Sequence, residues 1–346
     1  MAEEHRRRAH YAGKYPKKFE EKYKELQPEK YADTVAHVME KGSTPAGMHI
    51  SIMVDEVLSA LAIQPGERGL DATLGYGGHT RAMLQKLAGE GHLTALDIDP
   101  IESAKTEKRL RDQGFSEEIL SVKLINFAEI DKVAEDFGKF DFILADLGVS
   151  SMQIDNPERG FSYKTDGPLD LRMDPTRGET AAERLKSIEA DELAGMFSEN
   201  ADEPYAEEIA EAIVKRRKKG KPVKTTTDLR EVITETLSFL PEKERKEAVK
   251  KSCQRVFQAL RIDVNSEFET LYAFLSKLPD VLAPGGRVAI LTFHSGEDRL
   301  VKKAFRDGFR EGLYRAIADD VTRPTAEECR RNPRAASTKM RWAVKA

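Results

Sequence analysis

The sequence predicts an α/β protein: a Rossmann-like parallel sheet of βαβ units, interrupted once by an all-α segment. Three observations carry this. Apolar strand-like runs alternate with helical patterns from about residue 50 to 146, at roughly 25-residue intervals. A glycine-rich turn, Gly75-x-Gly77-Gly78, joins the first strand directly to a helical pattern. The alternation then stops for a helical stretch of about a hundred residues, residues 155–253, and strands resume only near Arg287.

Taken in order, residues 1–47 read as a charged extension with an Arg6-Arg7-Arg8 run and a helical pattern at Lys17–Leu26. A solvated arm explains them, and so does an RNA- or ribosome-contacting arm, given the interleaved Tyr11, Tyr15, Phe19 and Tyr23. Ile52, Val54, Val57, Leu58 and Leu61 then form one apolar helical face before Gln64-Pro65-Gly66. Strands are expected at Gly69–Ala72, Leu93–Leu96, Val122–Ile125 and Phe140–Ala145, with helices between them. Right-handed crossovers make such a sheet parallel. From Asp155 to about Cys253 helical stretches begin at Ala181, Ala190, Pro204, Thr227 and Glu242. A helix at Glu267–Leu282, a fifth strand at Arg287–Phe293, a helix at Arg299–Phe305 and a last strand at Met340–Val344 complete the sheet. The expected organisation is an extension (1–47), a catalytic domain in two pieces (48–154 and 254–346), and an inserted helical substrate domain (155–253).

Composition bounds the function. Of 346 residues, 40% are hydrophobic and 34% charged, which suits a globular chain with ample core material. No apolar run reaches the ~20 residues of a membrane span. The charged first ten residues lack the apolar centre of a secretory signal, and two cysteines make no disulfide framework, so a reducing cytoplasmic setting is expected. Neither cysteine has partners at metal-ligand spacing, and no metal is expected. A net charge of -4 leaves nucleic-acid binding to local basic patches.

The glycine turn lacks the third glycine of G-x-G-x-x-G, because Thr80 stands in its place. That disfavours a dinucleotide, whose pyrophosphate needs the turn, and hence a nicotinamide oxidoreductase. S-adenosylmethionine has no phosphate; it needs close backbone approach and nearby carboxylates. Asp71, Asp97 and Asp146 stand at the tips of three strands and can supply them, with Asp97 suited to ribose hydroxyls.

These residues resemble one family. The blocks are Asp71-Ala-Thr-Leu-Gly-Tyr-Gly-Gly-His79, Ala95-Leu-Asp-Ile-Asp-Pro100, Asp146-Leu-Gly-Val-Ser-Ser151, Glu158-Arg-Gly-Phe-Ser162, the long Asp166–Arg177 run, Val256–Ile262, Val264-Asn-Ser-Glu267 and Phe293-His-Ser295. They are similar to the bacterial small-subunit ribosomal RNA cytosine-N4 methyltransferases, the RsmH/MraW family, from His49 to the C-terminus. The resemblance implies a class I S-adenosylmethionine-dependent fold with a helical domain inserted after strand four. It also implies small-subunit rRNA as partner and no membrane. By motif position, Gly77, Gly78 and His79 line the methionine end, Asp97 meets the ribose, Phe127 lies beside the adenine, and Asp146 and Gln153 complete the pocket. Phe127 reads equally as a core aromatic, and Gln153 as an ordinary loop residue.

An exocyclic cytosine amine is a poor nucleophile and needs a proton acceptor near the methyl group. Asp146 is the candidate; Asp170, Asn265 and His294 are alternatives, His294 reading also as a helix N-terminal hydrogen-bonder. Arg159, Arg172, Arg177, Arg255, Arg261 and Arg299, with Asp170, are expected on the RNA side. The basic end Lys215–Lys219 suits RNA or the helix dipole equally. Departures from the family pattern are the missing proline in His49–Glu56, Gly296 in place of an apolar residue, and a shortened segment before Asn332. They mark a divergent paralogue and leave the target nucleotide open. The competing reading is a non-catalytic or retargeted RNA-binding assembly factor on the same fold.

Overall fold

The computed structural model describes residues 51–346, which form one compact unit from Ser51 onward; the arm expected at 1–47 lies outside the described residues. Helix α1 (Val54–Leu61) leads to β1 (Arg68–Asp71), α2 (Gly78–Leu87), β2 (His92–Asp97), α3 (Pro100–Asp112), β3 (Leu120–Leu124), α4 (Ile130–Phe137) and β4 (Phe140–Asp146). After the helical segment come β5 (Leu282–Thr292), α12 (Ser295–Arg310), β6 (Tyr314–Ile317), α13 (Ala326–Arg331) and β7 (Lys339–Lys345). The sheet order is β3-β2-β1-β4-β5-β7-β6. Strands β1 to β5 pair in parallel, and β7 runs antiparallel to both β5 and β6. The Rossmann-like class I architecture expected from the sequence is the one that forms.

Strand periodicity explains the layers. Ile143 and Ala145 face a core shared with α4 and α12, while Phe142 and Leu144 face one shared with α1 and α2. Both faces are covered, so β4 reads as a continuous apolar run rather than an alternating one. Close packing fixes details: a Cβ on Gly69 would lie 2.0 Å from the Phe142 ring.

Between β4 and β5 lie α5 (Ser151–Asp155), α6 (Ala181–Ser187), α7 (Ala190–Ala201), α8 (Ala206–Lys218), α9 (Thr226–Thr236), α10 (Glu242–Asn265) and α11 (Glu267–Val281). They enclose their own core, which includes Leu169, Leu193, Phe197, Ile209, Leu229, Ile233 and Leu260. The seam expected between residues 253 and 254 falls inside α10. Its buried residues Cys253, Val256, Phe257 and Leu260 recur at helical spacing and belong to the helical core, so the chain returns to the sheet only after the helix ends. Ser266, in the left-handed region at φ 47°, ends α10 and starts α11.

Three elements lay outside the sequence expectation, the first of them the five-residue α5. Strand β6 has four residues and sits at the sheet edge, too short for a period-two signal. Helix α13 has six, capped by the Thr325 hydroxyl accepting from Glu328 N.

Candidate active site

The crevice lies where strand order reverses, between β1 and β4, at the C-terminal ends of the strands; open α/β sheets bind ligands there. Its floor is the turn between β1 and α2. Gly75 (φ 49°) and Gly77 (φ 79°) are both in the left-handed region, which glycine adopts without steric cost. A Cβ on Gly75 would meet only the Thr73 carbonyl oxygen at 3.8 Å, so the backbone there is open to close approach.

The three strand-tip acids have different surroundings. Asp71 is an internal brace: Oδ2 accepts from Thr80 Oγ1 at 2.6 Å and Oδ1 from Thr73 N at 3.1 Å, tying β1 to the first turn of α2. Its side chain is buried, and burial raises its pKa against the opposing pull of Thr80 and His79. The carboxylate is therefore turned inward rather than offered to a ligand. Asp97 accepts from Gly75 N and from Asp99 N, each at 2.9 Å. Burial pushes its carboxyl up to about 6, the two amides holding it lower than burial alone would. Asp146 differs from both. Its backbone N donates to Thr73 Oγ1 at 2.7 Å, Oδ2 stands 3.5 Å from His79 Nδ1, and Oδ1 is buried without a hydrogen-bond partner. An orphaned carboxylate oxygen costs free energy unless a ligand satisfies it.

Gln153 and Arg159 both have partners inside the protein. Both converge on Asp99, which sequence reasoning passed over. Asp99 is fully buried: Oδ1 caps α3 by accepting from Ile101 N and Glu102 N, and Oδ2 accepts from Gln153 Nε2 (2.9 Å) and Arg159 Nη1 (2.7 Å). The Asp99-Pro100 pair, an N-cap followed by proline at the first helical position, was the legible signal. The other end of the Gln153 amide closes a capping box with Ser150. Arg159 Nη2 donates to the carbonyls of Arg172 and Met173. The side chain expected to contact phosphate is thus bonded to one buried acid and two carbonyls of its own chain.

Two more of the expected RNA-side arginines are paired inside the protein. Arg172 forks onto Asp170 (2.7 and 2.8 Å), and Arg261 onto Glu267 (2.7 and 2.9 Å). Arg177 and Arg299 remain open, with side chains 86% and 69% exposed and only loose acidic neighbours at 3.6 and 4.0 Å. A cleft of about 530 Å³ beside Arg299 is lined by Phe268, Tyr272 and Gly296, away from the glycine turn. In the basic end of α8, Arg216 pairs with Asp228, and Arg217 donates to the Leu185 and Ile188 carbonyls.

Of the alternative acceptors, Asn265 is fully engaged. Its Oδ1 accepts from Met173 N, and its Nδ2 donates to the Leu171 and Arg261 carbonyls. It clamps the loop that holds buried Leu171 at φ 64°. His294 stands at the N-cap of α12, where its backbone N donates to Glu297 Oε2. Its Nε2 is 3.3 Å from Glu297 Oε1, its ring is 5.8 Å from Phe268, and both ring nitrogens are buried without a hydrogen-bond partner among the described residues. Phe127 packs edge-on against Phe274 at 5.2 Å and remains half-buried. Among the described residues no helix is long and apolar enough to cross a membrane.

The sequence profile of the MraW methylase family matches residues 46–346. "Ribosomal RNA small subunit methyltransferase H 1" of Agathobacter rectalis is 66% identical over 348 residues, covering all of both chains. A protein of the same name from Lachnoclostridium phytofermentans is 66% identical over 99% of this chain and 93% of its own. "Ribosomal RNA small subunit methyltransferase H 2" of Alkaliphilus metalliredigens is 61% identical over 99% of each.

Proposed function

The chain belongs to the MraW methylase family, and from that premise we propose that it methylates the N4 exocyclic amine of a cytidine in the small-subunit ribosomal RNA. The coarser assignment is an rRNA methyltransferase that uses S-adenosylmethionine. The observation that carries the finer one is Asp146 Oδ1, a buried acceptor with no partner at the mouth of the glycine turn. Bound there, S-adenosylmethionine would supply an electrophilic methyl group on a sulfonium. The open backbone at Gly75 and the Asp97 carboxylate fit it.

Asp146 would accept a proton from the amine, which releases the nitrogen lone pair from the ring as the new bond forms. Asn265 cannot do this with both ends of its amide engaged, and Asp170 is held by Arg172. A base must leave its stack to reach the crevice, and Arg177 and Arg299 are exposed cations that could hold its backbone. The test is mass-spectrometric mapping of N4-methylcytidine after incubation of the enzyme with naked rRNA and with assembled small subunits. No new N4-methylcytidine on either substrate would remove the finer assignment.

Two results are expected. Asp97 carries the ribose only as a carboxylate, and its pKa is raised to about 6. Protonation below that value removes the acceptor, so donor affinity measured by calorimetry is level above pH 6 and falls by roughly tenfold per pH unit below it. An affinity flat down to about pH 5 would exclude Asp97 from ribose contact. Glutamate at Arg177 or Arg299 weakens RNA binding without changing donor affinity. Each neutralised phosphate contact lowers the slope of log affinity against log salt by about 1; an unchanged slope would place both residues off the RNA.

A further inference from the structure

His79 lies in the first turn of α2, with its ring buried between two acids. Its Nε2 is 2.9 Å from the carbonyl oxygen of Ile52, which can only accept, so Nε2 carries a hydrogen. Nδ1 is 3.5 Å from Asp146 Oδ2. A neutral ring protonated at Nε2 would turn its Nδ1 lone pair toward that carboxylate, and the two would repel. The contact is attractive only if Nδ1 also carries a proton. We infer that His79 is a positioning residue for methyl transfer: an imidazolium that holds Asp146 Oδ2 and leaves Oδ1 free to take the proton of the reacting amine.

The electrostatics agree. The charged groups facing the ring are Asp71 from the end of β1 and Asp146 from the end of β4; Thr80, from the same helix turn, bonds to Asp71. Burial opposes the charge on His79. The hydrogen bond and Coulomb attraction of Asp146, the Coulomb attraction of Asp71 and the Ile52 carbonyl together outweigh it, and the imidazole pKa is raised. With Asp97 at the neighbouring strand end, acids outnumber the imidazolium in the crevice, which suits a cationic donor such as a sulfonium. His79 does not touch the reacting atoms in this arrangement; it acts through Asp146. The inference rests on the reading of Asp146 as proton acceptor, but the charge state of His79 can be measured without it.

Selective ¹⁵N-histidine labelling of the whole protein reads both ring nitrogens during a pH titration. His79 is expected to keep both protons above the ordinary imidazole value of ~6.5; a ring with one bare nitrogen at pH 7 overturns the inference. His79→Gln keeps a donor toward Ile52 and drops the group facing Asp146, whereas His79→Asn keeps a donor toward Asp146. The Gln variant is expected to lose roughly tenfold or more in kcat with KM for the donor little changed, and the Asn variant to recover most of it. The wild-type rate declines as pH rises through the His79 pKa, and that limb is absent in both variants. Equal losses in the two variants, or an effect on donor KM alone, overturns the positioning role. If the methylated atom proves not to be cytosine N4, the titration still decides the state of His79, so the two failures are separable.

Discussion

Asp146→Ala is expected to lower kcat by roughly 10²–10⁴-fold, the usual contribution of a positioned general base, while leaving the fold and most donor binding intact. The fold is spared because the strand-end anchor is the backbone, Asp146 N donating to Thr73 Oγ1, which does not depend on the carboxylate. Donor binding is largely spared because Gly75, Gly77 and Asp97 remain. The rate is not spared. Oδ1 is a buried carboxylate oxygen in the crevice without a partner, and the neighbouring acids are otherwise engaged: Asp71 with Thr80 and Thr73 N, Asp97 with two backbone amides. Single-turnover methylation with calorimetry of donor binding makes the measurement. A variant with full kcat would move the acceptor role elsewhere. A variant whose whole defect is in donor affinity would make Asp146 a cofactor ligand only.

How far the sequence foretold this differs between the sheet and the insertion. The strands were legible because βαβ units repeat a local signal: an apolar run, a turn, a helical face. Asp97 and Asp146 were legible because a strand ending on an acid puts that acid at the C-terminal edge of a parallel sheet. The internal partners of three arginines were not. Arg159, Arg172 and Arg261 lie in unusual, motif-like stretches, and nothing local separates a cation held for RNA from one spent on a buried acid. The partner of Arg159 lies 60 positions away at Asp99, on the other side of β3 and β4. Arg261 finds Glu267 only because Ser266 turns the chain between two helices. The seam at 253 was misplaced for a related reason: one helix, α10, is built on the insertion core from its middle to its end. Asn265 looked like a catalytic amide because its role as a loop clamp depends on the Met173 amide and the Leu171 carbonyl, 92 and 94 positions earlier.

Arg159→Met is expected to destabilise the protein by about 3–5 kcal/mol, the cost of leaving a buried charge without its partner. Asp99 is fully buried, and its Oδ2 would keep only Gln153 as donor. The variant also strips the Arg172 and Met173 carbonyls of their donor, loosening the loop that carries Asp170 and Arg177. At roughly 2–4 °C per kcal/mol for a chain of this size, the melting temperature falls by about 10 °C. Asp99→Asn combined with Arg159→Met removes both charges together, and a double-mutant cycle should show strong coupling, the double variant being more stable than the two single losses would add to. Asn at 99 can still cap α3 through its side-chain oxygen, so the rescue is not masked by loss of the cap. A phosphate-contacting Arg159 makes the opposite forecast: an unaltered melting temperature and a smaller salt dependence of RNA binding. Melting curves and RNA titrations of the same preparations separate the two. The geometry favours the first, because a guanidinium with 9% of its side chain exposed is bonded to one acid and two carbonyls, and its one unpartnered donor, Nε, is buried away from solvent.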